Sequence, residues 1–434
     1  MIRASGARHF MKAPKSFFII DDDPSAIDIL TMLLKEGGHE VRSATSSTEA
    51  LKEVVESQPD CVLVDLIMPN IDGFDLIRQL RERPELQQLR IIVISAKPYE
   101  ADRRKAREVG ADGYIVKPIR PETFLNDLYD LLADRAELRY WGIRGTLPVP
   151  GPKTLRYGGN TSCISLEFGN DGLFIFDAGS GIKELSNFLL ARGGRHTGRI
   201  FISHPHWDHI NGLPFFVPLY VQGNEFVIHG ASQGGHGMRD LISAQMEPPY
   251  FPVTVREFGG NVYFNTLREE KVRLDGVSVQ TMLLRHPGNC LGYRVELRGG
   301  SFCYVTDNEI YTPNQPDYDA FQEQRLISFI TNADLLVADC TYDEATYPKK
   351  VHWGHSSVSR VAEIAHRAGV KELHIFHHDP DQSDEDIDRK LEEAQTVLTR
   401  LGSKTKVLAP AEGQMYQLLH HEVIHPDEMP TIAE

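Results

Sequence analysis

Four side chains that can bind a metal ion fall within one six-residue stretch, His204-Pro205-His206-Trp207-Asp208-His209. The stretch follows an apolar, strand-like run at residues 199–203. In extended backbone, side chains two positions apart project to the same side, so His204 and His206 can share one ion. If the chain then turns into a helix, Asp208 and His209 point to a second position beside the first. Imidazole and carboxylate ligands together favour zinc, iron or manganese over calcium, and four of them at this spacing disfavour an ordinary polar loop.

Composition indicates a soluble protein of several domains. A chain of 434 residues is long enough for two or three domains, and 41% hydrophobic and 25% charged residues are ordinary for globular proteins. No apolar run reaches the roughly 18 to 20 residues that span a bilayer, so we expect no membrane partner. The five cysteines are scattered and form no CxxC pair, which favours a reducing compartment. We therefore expect a cytoplasmic protein.

The formal net charge of -15 bears on the class of partner. Broad binding to nucleic acid depends on neutralising phosphates, which an acidic protein does poorly. Nothing after the first predicted domain has the pattern of a basic helix-turn-helix, so we do not expect DNA binding. A small phosphorylated substrate remains compatible, because bound metal ions reverse the local field.

Alternating strand-like and helical patterns define a first domain at residues 16–135. Its short runs, apolar on both faces, are residues 17–20, 61–64, 91–94 and 114–116. Repeated β-then-α order predicts an α/β fold with a doubly wound parallel sheet of five strands. A second domain is predicted at residues 139–420, with a disordered leader at 1–15 and a loose tail at 421–434.

Polar side chains follow the strands of the first domain, where the site of such a sheet lies. Asp21 and Asp22 follow the first strand, Asp65 the third, Ser95 the fourth and Lys117 the fifth. Three carboxylates in one crevice repel one another unless a divalent cation neutralises them, and Mg²⁺ is the natural choice. Ser95 and Lys117 add a hydroxyl and a positive charge that can hold an added phosphoryl group.

The first domain resembles the receiver domain of two-component response regulators, a flavodoxin-like fold, from end to end. The motifs that carry the resemblance are Ile19-Ile20-Asp21-Asp22-Asp23-Pro24, Val64-Asp65-Leu66-Ile67-Met68-Pro69, Asp72-Gly73, Ile94-Ser95-Ala96 and Val116-Lys117-Pro118. The resemblance implies that Asp65 accepts a phosphoryl group from a histidine kinase or phosphotransfer protein. It assigns Asp21, Asp22 and Asp65 to Mg²⁺, and Ser95, Tyr114 and Lys117 to the switch. The alternative is a receiver-like fold that no longer accepts phosphate.

In the second domain, further strand-like runs each end on a ligand-type residue. These residues are Asp177, His286, Asp307 and the adjacent pair His377 and His378. Strand ends are where a site between two sheets collects its ligands. The pattern therefore extends the histidine stretch into one larger constellation.

This constellation is similar to the metallo-β-lactamase fold hydrolases, which implies an αββα sandwich over essentially the whole second domain. The resemblance assigns His204, His206 and His286 to one metal, Asp208, His209 and His377 to the other, and Asp307 to a bridging position. Seven ligand positions imply two transition-metal ions, zinc first and manganese or iron as alternatives. Asp177 matches a residue that orients a ligand histidine. His378 could replace its neighbour His377, which we favour.

The nearest subgroup is the phosphodiesterase and ribonuclease Z branch. Its features here are residues 157–163, Trp207, residues 212–216, residues 343–346 and Gly354-His355-Ser356-Ser357. The resemblance makes His355 a candidate general acid or phosphate ligand, beside Asp208 as the second candidate catalytic residue. Alternatively, the element is a helix-capping loop, since Ser356 or Ser357 is a natural N-cap, and both descriptions can be true.

The sequence thus predicts a response regulator with an enzymatic output, a phosphorylation-controlled dinuclear hydrolase. A small phosphodiester is the expected substrate, with a cyclic nucleotide considered first. The alternatives are a ribonuclease Z-like nuclease, a lactone or thioester hydrolase, and a non-catalytic module that the metals only brace. The oligomeric state stays open, with a homodimer as one alternative. Residues 384–393 are expected to form a solvated, acidic helical face.

Overall fold

The computed structural model describes residues 15–69, 71–86, 89–132, 136–169, 172–248, 250–297 and 299–419. The predicted tail and all of the predicted leader except Lys15 lie outside these residues. The chain forms two compact units, and Ala136 is the first residue of the second. That residue lies ahead of the predicted start at 139, because the first strand of the second unit already begins there.

The described part of the first unit alternates strands with helices. They are β1 (Ser16–Ile20), α1 (Pro24–Glu36), β2 (Glu40–Ala44), α2 (Ser47–Ser57), β3 (Cys61–Val64), α3 (Gly73–Arg81), β4 (Arg90–Ser95), α4 (Glu100–Val109), β5 (Gly113–Val116) and α5 (Pro121–Leu132). The five strands pair in parallel in the order β2-β1-β3-β4-β5. The predicted doubly wound, five-stranded parallel sheet is confirmed.

The apolar strands of this sheet are buried on both faces. In β1, Phe18 and Ile20 join one hydrophobic cluster, whereas Phe17 and Ile19 join another that includes Phe124 of α5. Successive side chains of a strand point to opposite faces, so an unbroken apolar run supplies both clusters. This explains why β1, β3 and β4 show no polar alternation in the sequence.

The described residues from Ala136 onward form two sheets of seven strands each. The first sheet has the order β11-β10-β9-β8-β7-β6-β19, with β6 (Ala136–Gly142), β7 (Cys163–Phe168), β8 (Gly172–Phe176), β9 (Thr197–Phe201), β10 (Glu225–Ala231), β11 (Asn261–Leu267) and β19 (Met415–Gln417). The second runs from β12 to β18 in chain order, with β12 (Lys271–Leu274), β13 (Val277–Leu284), β14 (Cys290–Leu297), β15 (Gly300–Val305), β16 (Leu335–Asp339), β17 (Glu372–Phe376) and β18 (Lys406–Leu408). The helices are α6 (Ile182–Arg192), α7 (Trp207–Ile210), α8 (Met238–Gln245), α9 (Ala320–Ile330), α10 (Val358–Arg367) and α11 (Asp384–Arg400).

Aromatic side chains join the two sheets face to face. The ring of Phe176 on β8 lies 5.1 Å from that of Phe302 and 5.5 Å from that of Tyr304, both on β15. Phe201 on β9 lies 5.3 Å from Tyr293 on β14. Helices α6 and α8 pack on the outer face of the first sheet, and α10 packs against strands of the second. This layering confirms the predicted αββα sandwich.

Two expectations from composition, one on membrane-spanning helices and one on the cysteines, can be compared with the described residues. None of the helices there combines the length and apolar character that crossing a bilayer requires. All five cysteines are buried.

The prediction of a solvated face at residues 384–393 is wrong in part. The segment is helical, but Asp384 and Lys390 are buried. The Lys390 ammonium donates to the carbonyl oxygen of Cys340 at 2.6 Å and contacts Nδ1 of His378 at 2.8 Å. Burial lowers the pKa of Lys390 to about 7. The helix needs one face to cover the sheet, and two charged residues of the acidic run fall on it.

Candidate metal centre and candidate phosphorylation site

The histidine stretch follows β9 and changes from extended to helical backbone within itself. His206 has extended dihedral angles and is the residue before α7, which begins at Trp207. His204 and His206 therefore precede the helix, while Asp208 and His209 lie inside it. This is the local arrangement that the spacing predicts.

His204, His206 and His286 form the first group of candidate ligands, named here the His206 cluster. Nδ1 of His206 lies 2.8 Å from Nε2 of His204 and 3.2 Å from Nε2 of His286. Nδ1 of His286 donates to the carbonyl oxygen of Gly354 at 3.0 Å, which leaves its Nε2 without a proton in the neutral ring. Burial lowers the pKa of all three imidazoles, so each favours the neutral form that binds metals.

Asp208, His209 and His377 form the second group, the His377 cluster. Oδ2 of Asp208 lies 3.2 Å from Nε2 of His209 and 3.2 Å from Nε2 of His377. His378, the alternative ligand, instead contacts Lys390 at 2.8 Å. The structure therefore brings His377 to the cluster and turns His378 away from it.

Asp307 lies between the two clusters. Its Oδ1 is 3.2 Å from Nε2 of His209 and 3.1 Å from Nε2 of His377. Its Oδ2 is 3.7 Å from Nε2 of His204 and 3.7 Å from Nε2 of His286. Burial by itself would raise the pKa of Asp307, but the surrounding imidazoles outweigh burial and lower it. One ionised carboxylate thus faces both clusters, as a bridging ligand would.

Asp177 supports the site from behind. Its buried carboxylate accepts from the amide of Ser203 at 2.7 Å, from the Ser203 hydroxyl at 2.9 Å and from the Tyr304 hydroxyl at 2.8 Å. Nδ1 of His209 lies 2.7 Å from the same carboxylate. That contact places the His209 proton on Nδ1 and directs the Nε2 lone pair toward Asp208 and Asp307.

The residues present fit a pair of metal ions. Nε2 of His209 is fully buried and makes no hydrogen bond to any described residue. Burial would lower the pKa of His209, but Asp208 and Asp307 outweigh burial and raise it. The excess negative charge around this nitrogen is what a bound cation would neutralise. The set of imidazole nitrogens and carboxylate oxygens matches zinc, manganese or iron.

His355 lies at the edge of both clusters. Its Nδ1 is 2.9 Å from Oδ2 of Asp339 and 3.9 Å from Oδ2 of Asp307. Its ring stacks on that of His377 at 4.9 Å between centroids. Burial would lower the pKa of His355, but the Asp339 carboxylate outweighs burial and raises the pKa to about 9. The Asp339 carboxylate therefore favours the protonated form of His355 beside the candidate ligands.

Of the two serines after His355, only Ser357 is the helix cap, and it is one of the two that the alternative interpretation of the element names. The Ser357 hydroxyl accepts from the amide of Arg360 in the first turn of α10. The Ser356 hydroxyl accepts from the amide of Ile310 at 3.0 Å. Helix capping and a site position for His355 therefore coexist in this element.

Two carboxylates of the site were missed by sequence reasoning. Asp339 ends β16, so the rule that found other candidates at strand ends could have found it. Glu309 is buried and accepts from the amides of His352 at 2.8 Å and Gly354 at 2.9 Å. It thereby fixes the loop whose carbonyl oxygen holds His286. No spacing in the sequence indicates this role.

Replacing Asp177 by asparagine is expected to weaken metal binding by about 10- to 100-fold. An amide group facing Nδ1 of His209 can donate to that nitrogen and move the proton to Nε2, which then cannot bind a metal. The affinity is measured by titrating metal-free protein with Zn²⁺ against a competing chelator. Asp334→Asn is the matched control, because Asp334 also accepts from a serine amide and hydroxyl, those of Ser301, at the opposite end of β16. Equal affinities of Asp177→Asn and the control would contradict the prediction.

The carboxyl ends of β1, β3 and β5 meet in the first unit. The Lys117 ammonium lies 2.8 Å from Oδ2 of Asp21 and 3.1 Å from Oδ2 of Asp65. Burial by itself would lower the pKa of Lys117, but the two carboxylates outweigh burial and raise it. Asp21 and Asp65 are buried, whereas Asp22 is exposed beside them. Three carboxylates in this arrangement are a suitable donor set for Mg²⁺.

Ser95 and Tyr114, the remaining predicted switch residues, lie on adjacent strands. Ser95 is fully buried at the end of β4, and its hydroxyl accepts weakly from the amide of Lys97 at 3.4 Å. The Tyr114 hydroxyl donates to the carbonyl oxygen of Lys97 at 2.8 Å. One short segment after β4 therefore connects both side chains.

Comparison with known proteins agrees with both folds. Family models match residues 17–129, as a response regulator receiver domain, and residues 174–378, as a β-lactamase superfamily domain. The protein PilH of Pseudomonas aeruginosa is 33% identical over 115 residues, which are 26% of this chain and 95% of PilH. The metallo-β-lactamase fold protein YhfI of Bacillus subtilis has a TM-score of 0.49 and 17% identity, covering 66% of this chain and all of YhfI. The chemotaxis protein CheY4 of Vibrio cholerae has a TM-score of 0.27 and 27% identity, covering 27% of this chain and 99% of CheY4. The chain therefore belongs to the response regulator receiver family and joins its receiver domain to a β-lactamase superfamily domain.

Proposed function

We propose that the second domain is a dinuclear metal-dependent phosphodiesterase controlled by phosphorylation of the receiver at Asp65. The observation that supports it is the pair of ligand clusters that share Asp307, with His355 beside them and paired to Asp339. A histidine kinase or phosphotransfer protein would be the partner of the receiver. Two carboxylates and several neutral imidazoles that face one point are not needed to stabilise a loop, but they are the groups that a metal site requires.

Zinc, manganese or iron ions bound here would polarise a phosphoryl group and lower the pKa of bound water. Asp307 would hold the two clusters at a fixed separation. Asp208 would act as one of the ligands within the His377 cluster. His355 would bind a phosphoryl oxygen or protonate the leaving oxygen. Its Nδ1 is engaged by Asp339 at 2.9 Å, which leaves Nε2 as the nitrogen that can reach a substrate. The Asp339 carboxylate stabilises the proton that His355 would donate.

Two exposed tryptophans support a nucleotide substrate. Trp207, between two candidate ligands, is 81% exposed, and Trp353, beside Gly354, is 58% exposed. Exposed indoles offer flat faces on which a base can stack. The Lys350 ammonium lies 3.9 Å from the centre of the Trp353 ring and adds a positive charge there. A cyclic nucleotide is the first substrate to test, since the net charge of -15 disfavours long nucleic acids.

Two metal ions per chain are expected after dialysis of protein that has been offered zinc, manganese and iron. The reason is the number of ligand atoms that converge on Asp307. Elemental analysis measures the metal content, and hydrolysis of bis-p-nitrophenyl phosphate measures the activity. Chelation is expected to abolish hydrolysis and reloading to restore it.

A panel of substrates then distinguishes the alternatives. Cyclic nucleotides, a short RNA and a set of lactones are offered to the same loaded protein. Cleavage of lactones without cleavage of any phosphodiester would replace the proposal by a lactonase. Preference for RNA would favour a nuclease. One ion or none per chain, with no turnover of any substrate, would leave a non-catalytic module.

A further inference from the structure

The short segment between β6 and β7 at residues 143–146 is tied to the end of β17. The amide of Gly145 donates to the carbonyl oxygen of His378 at 2.9 Å, and the amide of His378 donates to that of Ile143 at 3.1 Å. Arg144 forms isolated bridges with both His378 and Thr161. The segment is therefore pinned on both sides, and its backbone has little freedom to move.

Gly145 lies directly against the ring of His377. A Cβ atom at Gly145 would lie 2.1 Å from Cε1 of His377 and 2.4 Å from its Nδ1. Carbon atoms in contact are normally about 3.5 to 4 Å apart, so no side chain fits at this position. The absence of a side chain at residue 145 is thus a condition for the observed position of His377.

His377 cannot give way without leaving its cluster. Its ring stacks on that of His209, at 5.3 Å and 14°, and on that of His355, at 4.9 Å and 21°. The Thr341 hydroxyl donates to its carbonyl oxygen at 2.7 Å. Because two neighbouring rings and a main-chain hydrogen bond constrain His377, relief of a clash at Gly145 is expected to displace its Nε2, which lies 3.2 Å from Oδ2 of Asp208.

The same segment also holds Asp208. The amide of Thr146 donates to Oδ2 of Asp208 at 2.7 Å. Thr146 has a φ of 64°, a left-handed conformation that costs energy for a β-branched residue. Strain of this kind persists where the surrounding structure imposes it. One segment thus contacts two of the three residues in the His377 cluster.

We propose that residues 143–146 are a positioning element for the His377 cluster, in which Gly145 admits His377 and the Thr146 amide orients Asp208. The inference rests on the proposed function only in treating this cluster as a metal site. The segment makes no such contacts with the His206 cluster among the described residues. A substitution in this segment should therefore weaken metal binding at the His377 cluster and leave metal binding at the His206 cluster unchanged.

Gly145→Ala is expected to lower the metal content from two ions per chain to one. Elemental analysis and the absorption spectrum of Co²⁺-loaded protein measure the loss. Gly151→Ala is the matched control, because Gly151 lies in the following loop and a Cβ atom there would meet nothing within 4 Å. Two ions in both variants would overturn the inference. Fewer than two ions in the unmodified protein would contradict the proposed function instead.

A second comparison tests the contact without any metal. The melting temperature of metal-free protein is measured for Gly145→Ala, His377→Ala and the double variant. If Gly145→Ala acts through the His377 ring, it lowers the melting temperature in the native background, and the drop falls by at least half once that ring is absent. Equal drops in both backgrounds, or no drop in either, would show that Gly145 does not position His377.

Discussion

Replacing His355 by alanine is expected to leave both metal ions bound and to lower phosphodiester turnover by about 100-fold or more. Each cluster already contains three ligand residues without His355, although His355 also lies within ligand distance of His286 and Asp307 and of Asp339 and His377. The Asp339 carboxylate, against the effect of burial, raises the pKa of His355 to about 9 and so favours its protonated form. Removing it deletes a proton donor and a positive charge at once.

The leaving group distinguishes the two roles that His355 could have. If it protonates the leaving oxygen, the loss is larger for a cyclic nucleotide, whose leaving alkoxide is strongly basic, than for bis-p-nitrophenyl phosphate. If it only binds the phosphoryl group, both substrates lose rate equally. His352→Ala is the matched control, because His352 lies on the same loop with a side chain that is 62% exposed. Unchanged turnover in His355→Ala would reduce the element to a helix-capping loop.

Phosphorylation of Asp65 is expected to change the rate of hydrolysis by about 5- to 150-fold, the usual range of coupling between two sites. The Lys117 ammonium now divides its contacts between Asp21 at 2.8 Å and Asp65 at 3.1 Å. Added negative charge at Asp65 would draw Lys117 and the Ser95 hydroxyl toward the phosphoryl group. Tyr114, which is bonded to the segment after Ser95, would then shift inward.

A short covalent connection gives this change a route to the second domain. Helix α5 ends at Leu132 and β6 begins at Ala136, and the residues between them lack the glycine and serine of a flexible tether. The sign of the effect is open, since a displaced helix can expose or occlude a pocket. The measurement compares steady-state kinetics with and without beryllofluoride and Mg²⁺.

Asp65→Asn provides the control for the regulatory prediction. It removes the acceptor carboxylate while retaining the size of the side chain, so beryllofluoride should leave its kinetics unchanged. The control also reveals any direct effect of beryllofluoride on the metal centre. Identical kinetic constants in treated protein, untreated protein and the variant would contradict regulation of hydrolysis. The receiver would then act through location or partners.

The sequence alone determined the fold classes and most residues of the candidate site. Apolar runs of three or four residues in β-then-α order specify a parallel sheet, because hydrophobic periodicity is a local property of the chain. The alternation of extended and helical spacing within residues 204–209 likewise predicts which ligands share a side. Each strand that ends on a histidine or carboxylate marks a candidate, and Asp177, His286 and Asp307 were found in this way.

Only the tertiary structure decided which of two adjacent histidines faces the cluster. His377 and His378 differ by one position in register, and burial of Lys390 against His378 selects His377 for the site. The roles of Asp339 and Gly145 likewise depend on contacts between elements that are far apart in the chain. Residue types and periodicities are local and can be read from the sequence. The direction of a side chain is set by partners that only the packing of the two sheets brings together.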